Sequence, residues 1–271
     1  MWPMYNATVT KLTIITPGTM VLRVELDGDP FPFEPGQYTV LGLFRSAPRF
    51  VGTSLDSAEL QEKPENYLLR RAYSITSNSR SRELEFVITL IRSGALTPRL
   101  FSLEEGSRLY VEPKATGVFT LKTSSGNRDL LLVATGSAVA PYLSMLQSDF
   151  PQNPEHQYVV IHAAATSWDL AFRSQLAAFA ERSKHFVYLP TITEAERDNT
   201  WNGLIGSVES LLQGGEIEEL IGMPISPDRF DVFLSGSPVM IDAVTPELVD
   251  RGFTAGEPNH PETNIHAERY W

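Results

Sequence analysis

Residues 129–146 read Asp-Leu-Leu-Leu-Val-Ala-Thr-Gly-Ser-Ala-Val-Ala-Pro-Tyr-Leu-Ser-Met-Leu, or DLLLVATGSAVAPYLSML. The continuous apolar run at 130–134 is typical of a strand that is buried on both faces of a sheet. Small residues at 135–140 predict a tight loop, and Pro141 suits the first turn of a helix. A buried strand, a short loop and a helix together predict the start of an α/β domain.

The same alternation continues to the C-terminal side. We predict strands at 157–163, 186–191 and 230–235, and helices at 170–181, 207–212 and 239–251. Strands that alternate with helices indicate a parallel sheet covered on both faces. We therefore predict an α/β domain with a parallel sheet over residues 125–271.

The first 124 residues have a different pattern. Short β segments at 5–16, 20–26, 33–40, 83–91 and 108–111 lie between turn signals such as Pro17-Gly18, which is typical of a barrel or a sandwich. Residues 46–66 are polar and predict a long loop. Residues 96–103 have the apolar spacing of a short helix, with Thr97 as its cap and Pro98 in its first turn.

Residues 70–77, RRAYSITS, allow two interpretations. In the first, this is a half-buried strand with Tyr73 in the core and Arg71 reaching water. In the second, Arg71 and the Tyr73 ring line a binding surface together with free backbone N–H groups at the start of the helix that follows residues 93–97. Guanidinium and backbone N–H groups both favour phosphate, so this combination fits a flavin dinucleotide.

The loop after the first strand of the α/β domain also has two interpretations. It contains Thr135, Gly136, Ser137 and Ala138, and it lacks the full G-x-G-x-x-G pattern. It is therefore either a plain turn between strand and helix or part of a dinucleotide site. Ligands of such domains bind at the carboxyl ends of the strands, which is where this loop lies.

Composition excludes several classes of function. The chain has 271 residues, 22 of them basic and 33 acidic, and its net charge of −11 argues against a broad nucleic-acid surface. Cysteine is absent, so disulfides and thiolate-bound metals are not predicted, and we expect no metal site. There is neither a signal-peptide pattern nor an apolar run of the ~18 residues that a membrane span needs. We expect a cytoplasmic protein without membrane contact.

Five segments together resemble one family. They are RRAYSITS at 70–77, ITLIRSGALTPRLF at 88–101, LLLVATGSAVAPYLSML at 130–146, FLSGSPVMI at 233–241 and IHAERYW at 265–271. In this order they are similar to the bacterial ferredoxin/flavodoxin–NADP⁺ reductases, over nearly the whole chain. The resemblance implies an antiparallel FAD-binding β barrel at 1–124. It also implies a nicotinamide-nucleotide domain at 125–271, with a C-terminal tail that returns to the flavin.

The resemblance implies a role for individual residues of the FAD site. Arg71 corresponds to an FAD-phosphate arginine, Tyr73 to a ring stacked on the flavin, and Ser74 to a hydroxyl near flavin N5. The other FAD contacts that it implies are Ala72, Thr89, Leu90, Ile91, Gly94, Ala95, Leu96 and Thr97, the last four forming a phosphate-binding turn.

Further roles follow for the second domain. Tyr270 corresponds to the aromatic residue that covers the other flavin face, and Trp271 to a ring against the FAD adenosine. Glu268 matches a carboxylate near the flavin, and Ser235 stands where the family often has cysteine near the nicotinamide. The nucleotide contacts implied are Thr135, Gly136, Ser137, Ala138, Ser235 and Gly236, and the catalytic set is Tyr73, Ser74, Ser235, Glu268 and Tyr270.

Three positions depart from the family. Ala165, Glu194 and Leu204 stand where the resemblance leads us to expect arginines, and the one expected at Ala165 contacts the 2′-phosphate of NADP. A carboxylate repels a phosphate and accepts hydrogen bonds from a free ribose hydroxyl. We therefore expect weak discrimination in favour of NADPH, with NADH accepted as well or better, or a degraded nucleotide site. Candidates for replacement cations are Arg173, Arg182 and Arg197.

The activity implied is an FAD-dependent oxidoreductase that exchanges electrons between NAD(P)H and a one-electron carrier, ferredoxin or flavodoxin. Two alternatives remain: an NADH-dependent reductase for another acceptor, and a flavoprotein subunit that has lost nucleotide use. An acidic carrier requires a local basic patch, for which the candidates are Arg70, Arg80, Arg82 and Lys114.

Overall fold

The computed structural model describes residues 4–124, 128–256, 260 and 262–270. Trp271, predicted to contact the FAD adenosine, lies outside these residues. Contacts divide the chain into unit 1, Met1–Gly117, and unit 2, Val118–Trp271. This division precedes the sequence-based boundary at residue 124 because the Phe119 side chain packs in the core of unit 2, against the rings of Tyr142 and Phe233.

Unit 1 contains a six-stranded antiparallel sheet in the order β4-β3-β6-β1-β2-β5. Its strands are β1 (Ala7–Thr16), β2 (Thr19–Leu26), β3 (Tyr38–Phe44), β4 (Leu68–Ser74), β5 (Leu84–Thr89) and β6 (Arg108–Val111), and its helices are α1 (Ala58–Gln61) and α2 (Thr97–Leu100). A single bridge between Ile75 and Phe86 links the two ends, so the sheet curves like a barrel without closing fully. The predicted antiparallel, barrel-like first half is confirmed.

The core of unit 1 explains this curvature. Alternate residues of the strands, such as Val9, Leu22, Leu41, Phe86 and Leu109, are almost fully buried in one apolar cluster. Side chains alternate between the faces of a strand, so a sheet with one apolar face stabilises itself by curling around that face.

Unit 2 contains a six-stranded parallel sheet in the order β10-β9-β8-β7-β11-β12. The strands are β7 (Asp129–Thr135), β8 (Tyr158–Ala164), β9 (Phe186–Ile192), β10 (Leu204–Ile205), β11 (Phe230–Gly236) and β12 (Ile265–Arg269). The helices are α3 (Ala140–Asp149), α4 (Arg173–Arg182), α5 (Val208–Gln213), α6 (Glu216–Ile221) and α7 (Pro238–Asp250). Apolar clusters cover both faces of the sheet, which confirms the predicted α/β class.

The C-terminal segment differs from expectation in one respect. The sequence did not predict a strand there, whereas residues 265–269 form β12, which pairs in parallel with β11. The pairing brings Glu268 opposite Ser235 and so attaches the segment to the sheet. None of the helices in the described ranges has the length and apolar character that crossing a membrane requires.

Candidate functional site

The stretch 70–77 lies mostly on β4, which is an end strand of the sheet of unit 1. Arg70, Arg71 and Ala72 are exposed, whereas Tyr73 and Ser74 are half-buried. The Tyr73 ring packs against the barrel core, and burial raises the pKa of its hydroxyl, an effect that the charge of Arg71 opposes. The residues predicted to contact FAD on this strand therefore combine an anchored ring with an exposed cation.

Arg71 has a positive charge that no described carboxylate neutralises. Its Nη1 donates a hydrogen bond to the backbone oxygen of Arg70 at 2.7 Å, and it forms no ion pair with any described residue. The neighbouring Arg70, in contrast, lies 4.0 Å from Glu112. An exposed guanidinium without a carboxylate partner is suited to a phosphate.

The turn of residues 94–97 lies just after β5 and presents unused hydrogen-bond donors. The Thr97 side chain stabilises this turn, because its hydroxyl accepts a hydrogen bond from the N–H of Ile91 at 2.9 Å and donates one to the oxygen of Ile91 at 3.2 Å. The N–H groups of Ala95, Leu96 and Thr97 donate no hydrogen bond within the described part of the chain. Successive free N–H groups of this kind suit an anionic oxygen.

Two details of this turn concern its local geometry. Glycine is favoured at position 94, because a Cβ there would make a tight contact of 3.0 Å with the oxygen of Ile91. The prediction that Thr97 caps the helix is wrong: Thr97 is the first residue of α2 and Leu96 precedes it without a side-chain cap. The Thr97 hydroxyl is unavailable as a cap because it is bonded to Ile91.

In unit 2, a second group of predicted residues meets at the carboxyl ends of the strands. Gly136 has φ +53°, and nothing lies within 4 Å of the position that its Cβ would take. Thr135 Oγ1 accepts a hydrogen bond from the N–H of Ser237 at 2.9 Å. Gly236 has φ +127°, and a Cβ there would lie 2.1 Å from Thr135 Oγ1. The structure thus brings the loop after β7 against the end of β11, as a nucleotide site of this fold requires.

His162 holds the loop after β7 in place, a role that was not predicted from the sequence. Its Nε2 lies 2.8 Å from the backbone oxygen of Gly136 and its Nδ1 lies 3.1 Å from the Tyr188 hydroxyl. Burial lowers the pKa of His162 to about 4, so the ring is neutral at pH 7. We infer the tautomer in which Nε2–H donates to Gly136 and Nδ1 accepts from Tyr188. A histidine at the polar end of an otherwise apolar strand was the available signal.

Ser235, Glu268 and Tyr270 form a cluster at the same end of the sheet. Ser235 and Glu268 are Cα partners in the pairing of β11 with β12, and the Tyr270 N–H donates to the oxygen of Gly236 at 2.9 Å. Burial raises the pKa of Glu268 to about 7, against a hydrogen bond with Tyr270 that lowers it. Ser235 Oγ and Glu268 Oε2 are buried without a hydrogen-bond partner among the described residues. Such atoms are unusual in folded proteins and indicate a place for a ligand group.

Tyr142 links the two strands beside this cluster, a role that was not predicted from the sequence. It is fully buried, and its hydroxyl lies 2.8 Å from the oxygen of Val133 and 2.7 Å from that of Phe233. The hydroxyl therefore connects β7 and β11 near their carboxyl ends. A tyrosine that follows Pro141 at a helix start reads as an ordinary core residue, so the sequence carried no clear signal.

The positions that depart from the family lie at the ends of β8, β9 and β10. The N–H of Glu194 donates to the oxygen of Ala165 at 2.9 Å, and the Glu194 carboxylate forms an ion pair with Arg197. Leu204 begins β10 and is half-buried. Arg197 therefore does not replace the expected arginines as an unpaired cation, because the Glu194 carboxylate neutralises its charge.

The other two candidate cations are placed less favourably. The Arg173 guanidinium lies 4.7 Å from the centre of the Trp201 ring, in a cation–π contact. Arg182 ends α4, and this helix runs back toward the amino ends of the strands, as crossover helices of parallel sheets do. Arg182 therefore lies at the wrong edge of the sheet for a nucleotide.

Comparison with known proteins gives matches to both halves of the chain. Residues 132–245 match the family model described as "Oxidoreductase NAD-binding domain". The flavodoxin/ferredoxin–NADP reductase of Shigella flexneri is 28% identical over 263 residues, which cover 97% of each chain. The ferredoxin–NADP reductase of Azotobacter vinelandii is 29% identical over 219 residues, which cover 78% of this chain and 76% of the relative.

Solved structures show the same fold. A ferredoxin NADP⁺ reductase from Neisseria gonorrhoeae, solved with bound FAD and NADP, has a TM-score of 0.81 at 23% identity and covers 97% of both chains. The cytochrome b5 reductase domain of the Ulva prolifera nitrate reductase has a TM-score of 0.72 at 18% identity, covering 97% of this chain and 96% of that one.

Proposed function

We propose that this protein, whose resemblance to the bacterial ferredoxin/flavodoxin–NADP reductases is confirmed, is an FAD-dependent oxidoreductase that exchanges electrons between NAD(P)H and ferredoxin or flavodoxin. The observation that carries the proposal is the match to named reductases along 97% of both chains, because it includes both units. Unit 1 then binds FAD and unit 2 binds the nicotinamide nucleotide.

The residues of unit 1 fit a flavin nucleotide. Arg71, which no described carboxylate neutralises, and the N–H groups of residues 95–97, which donate to no described residue, suit its phosphates, and the half-buried Tyr73 offers a ring face. The residues of unit 2 fit a nucleotide, since nothing lies within 4 Å of the Cβ position of Gly136 and Ser235 Oγ has no hydrogen-bond partner among the described residues.

Bound FAD supplies two-electron exchange with the nucleotide and one-electron exchange with the carrier. The chain supplies binding and orientation. In this proposal, Arg71 and the turn at 94–97 would hold phosphate, and Tyr73 and Tyr270 would each stack against the flavin. The Ser74 hydroxyl would lie near flavin N5, the Glu268 carboxylate near the flavin and Ser235 near the nicotinamide. The nicotinamide would reach the flavin only after the Tyr270 ring moved aside.

Reconstitution tests the first half of this proposal. The purified chain should take up FAD and show a flavin spectrum that is bleached anaerobically by NADPH or NADH and restored by ferredoxin or flavodoxin. Arg71→Met should weaken FAD binding about 10- to 100-fold, the value of one charge-assisted hydrogen bond to phosphate. Arg80→Met, which removes another exposed arginine of unit 1, is the matched control and should bind FAD normally.

A chain that cannot be loaded with FAD would refute the proposal. A chain that binds FAD but is bleached by neither nucleotide would instead favour the flavoprotein subunit that has lost nucleotide use.

We further propose that NADH is used as well as NADPH or better. Glu194 and Leu204 present no positive charge, and the charge of Arg197 is shared with Glu194. A 2′-phosphate is therefore repelled by a carboxylate that a ribose hydroxyl can use as an acceptor. This observation also favours the second candidate function, an NADH-dependent reductase for another acceptor.

The ratio of kcat/KM for NADH and NADPH tests the nucleotide proposal. Glu194→Gln should shift that ratio toward NADPH by up to about fivefold, because an exposed ion pair is worth ~1 kcal/mol at most. Glu209→Gln, which changes an acidic residue in the first turn of α5, is the control. A large preference of the unmodified chain for NADPH would contradict the proposal.

The carrier is proposed to dock through basic residues of unit 1. Arg80 and Lys114 are exposed, whereas Arg82 is bonded to Glu25 at 2.8 Å and Arg70 lies near Glu112, so only part of the predicted patch keeps its full charge. Turnover with an acidic carrier should fall as ionic strength rises, and a rate independent of salt would exclude this mode of docking.

We also propose a cytoplasmic location, which cell fractionation tests.

A further inference from the structure

Residues 45–56, at the start of the long loop between β3 and β4, form a segment that we call the strap. The strap lies along the segment that follows β5: the N–H of Phe50 donates to the oxygen of Pro98 at 2.9 Å, and the N–H of Ser54 donates to that of Arg92 at 3.0 Å. The Arg92 side chain returns a bond to the oxygen of Gly52 at 3.1 Å. Strap and segment are therefore linked by backbone as well as side-chain groups.

A buried ion cluster fastens the two together. The side chains of Arg99 and Asp56 are 2% and 9% exposed, and two nitrogens of Arg99 donate to the two oxygens of Asp56 at 2.9 and 2.6 Å. Arg49 donates to the same carboxylate at 2.6 Å. These arginines hold the pKa of Asp56 below its ordinary value, chiefly through the hydrogen bonds from Arg99.

Both arginines also bind the turn of residues 94–97, whose N–H groups at 95–97 donate to no described residue. Arg49 donates to the oxygen of Gly94 at 3.0 Å, and Arg99 donates to the oxygen of Ala95 at 2.7 Å. A trans peptide is planar, and its C=O and N–H point in opposite directions. An arginine on the oxygen of Gly94 therefore turns the N–H of Ala95 away from the cluster. An arginine on the oxygen of Ala95 does the same for the N–H of Leu96.

A purely structural attachment of the strap does not need this chemistry. Apolar side chains of similar volume stabilise a buried contact as well as an ion pair does, because burying charges is costly. The cluster is unusual in placing two guanidinium groups on the carbonyl side of adjacent peptides. Hydrogen bonds to a carbonyl also polarise the N–H of the same peptide, which strengthens that N–H as a donor.

We propose that Asp56, Arg49 and Arg99 are positioning residues that aim the N–H groups of Ala95 and Leu96 at a phosphate of the flavin nucleotide. This inference rests on the proposed function. Asp56 holds the guanidinium groups of Arg49 and Arg99, and these bind the carbonyl groups of Gly94 and Ala95. Because each peptide is planar, the position of its carbonyl sets the direction of the N–H group of the next residue. None of the three side chains contacts the cofactor in this scheme.

The test compares Asp56→Asn with Asp27→Asn in the full chain. Asp27 also forms an ion pair with an arginine of unit 1, Arg108, but this pair is exposed and involves residues of β6 and of the segment after β2. The dissociation constants of FAD and of riboflavin, which has no phosphate, are measured by fluorescence titration. In metal sites, partners that orient the binding groups are worth about 10- to 100-fold in affinity, and we expect a loss of that order for FAD in Asp56→Asn.

The riboflavin affinity of Asp56→Asn, and both affinities of Asp27→Asn, should stay within about twofold, the usual error of additivity for distant sites. Unchanged FAD binding in Asp56→Asn overturns the inference. An equal loss for riboflavin also overturns it, because a merely structural role would weaken both ligands. If the unmodified chain binds no FAD, the proposed function fails and this inference fails with it.

Arg49→Met keeps the proposal testable if Asp56→Asn does not fold. This variant removes the donor to the oxygen of Gly94 and leaves the pair of Arg99 with Asp56 intact. FAD affinity should fall while riboflavin affinity is retained, and equal affinities of variant and unmodified chain for FAD would overturn the proposal.

Discussion

Replacing Glu268 by glutamine should make the protein more stable at alkaline pH and change little at acidic pH. Burial raises the pKa of Glu268 from its usual 4.5 to about 7. Between these two values the folded protein keeps a proton that the unfolded chain has released. Stability contributed by this group is therefore lost as the pH rises from 4.5 to 7, and glutamine, which cannot ionise, escapes the loss.

The size of the effect follows from the two pKa values. Each pH unit between them costs 1.36 kcal/mol, so the raised pKa of Glu268 lowers the free energy of unfolding by about 3 kcal/mol at pH 8 and by about 1 kcal/mol at pH 5, relative to a group that cannot ionise. Glu268→Gln should exceed the unmodified chain in free energy of unfolding by about these amounts.

Urea unfolding at pH 5 and pH 8, followed by circular dichroism, measures the difference between the two proteins. The two proteins must be compared at each pH because His162 and His266 make stability depend on pH in the opposite direction to Glu268. Burial lowers the pKa of both, so the stability that they contribute is lost as the pH falls below 6.5. These contributions are common to both proteins and cancel.

Asp242→Asn is the control. Its ion pair with Arg269 lowers the pKa of Asp242, so it stays ionised from pH 5 to pH 8 and its replacement should shift stability equally at both. If Glu268→Gln likewise differs from the unmodified chain by the same amount at both pH values, to within about 0.5 kcal/mol, Glu268 does not titrate as argued.

Three further substitutions should lower the free energy of unfolding, measured in the same way. Gly236→Ala should cost about 2–3 kcal/mol or more, because alanine disfavours φ +127° and its Cβ would meet Thr135 Oγ1 at 2.1 Å. Tyr142→Phe should cost about 1–2 kcal/mol, because it leaves two buried carbonyl groups without their shared donor. Thr97→Val should cost about 1–3 kcal/mol, since the N–H of Ile91 loses its acceptor.

Each of these has a control or a contradicting result. Gly106→Ala shares a positive φ with Gly236 but has open space at its Cβ, so the smaller loss expected there isolates the steric part. Tyr142→Phe with full stability would mean that the hydroxyl is not needed between the strands. Thr97→Ser keeps the hydroxyl, and if it is as unstable as Thr97→Val, the bond to Ile91 is not the cause.

The general fold was predictable because its signals are local. The buried strand at 130–134 and the helix after Pro141 appear in the sequence as apolar runs and turn residues, and β7 and α3 occupy these positions. β12 was not predicted, since residues 265–269, IHAER, are a short segment with only two apolar residues. Its strand character comes from pairing with β11, in which each partner lies 33 positions earlier in the chain, as Val232 does for Ile265.

The sequence by itself determined the two-part architecture, the family resemblance and the chemical types present near each predicted ligand. These depend on residue identity and on neighbours along the chain. Only the tertiary structure decided that no described carboxylate pairs with Arg71, that Glu194 pairs with Arg197, and that Asp56 holds two arginines behind the turn at 94–97. Partners of charged and polar side chains are chosen by distance in space, and residues 43 apart in sequence, such as Asp56 and Arg99, become neighbours only when the chain folds.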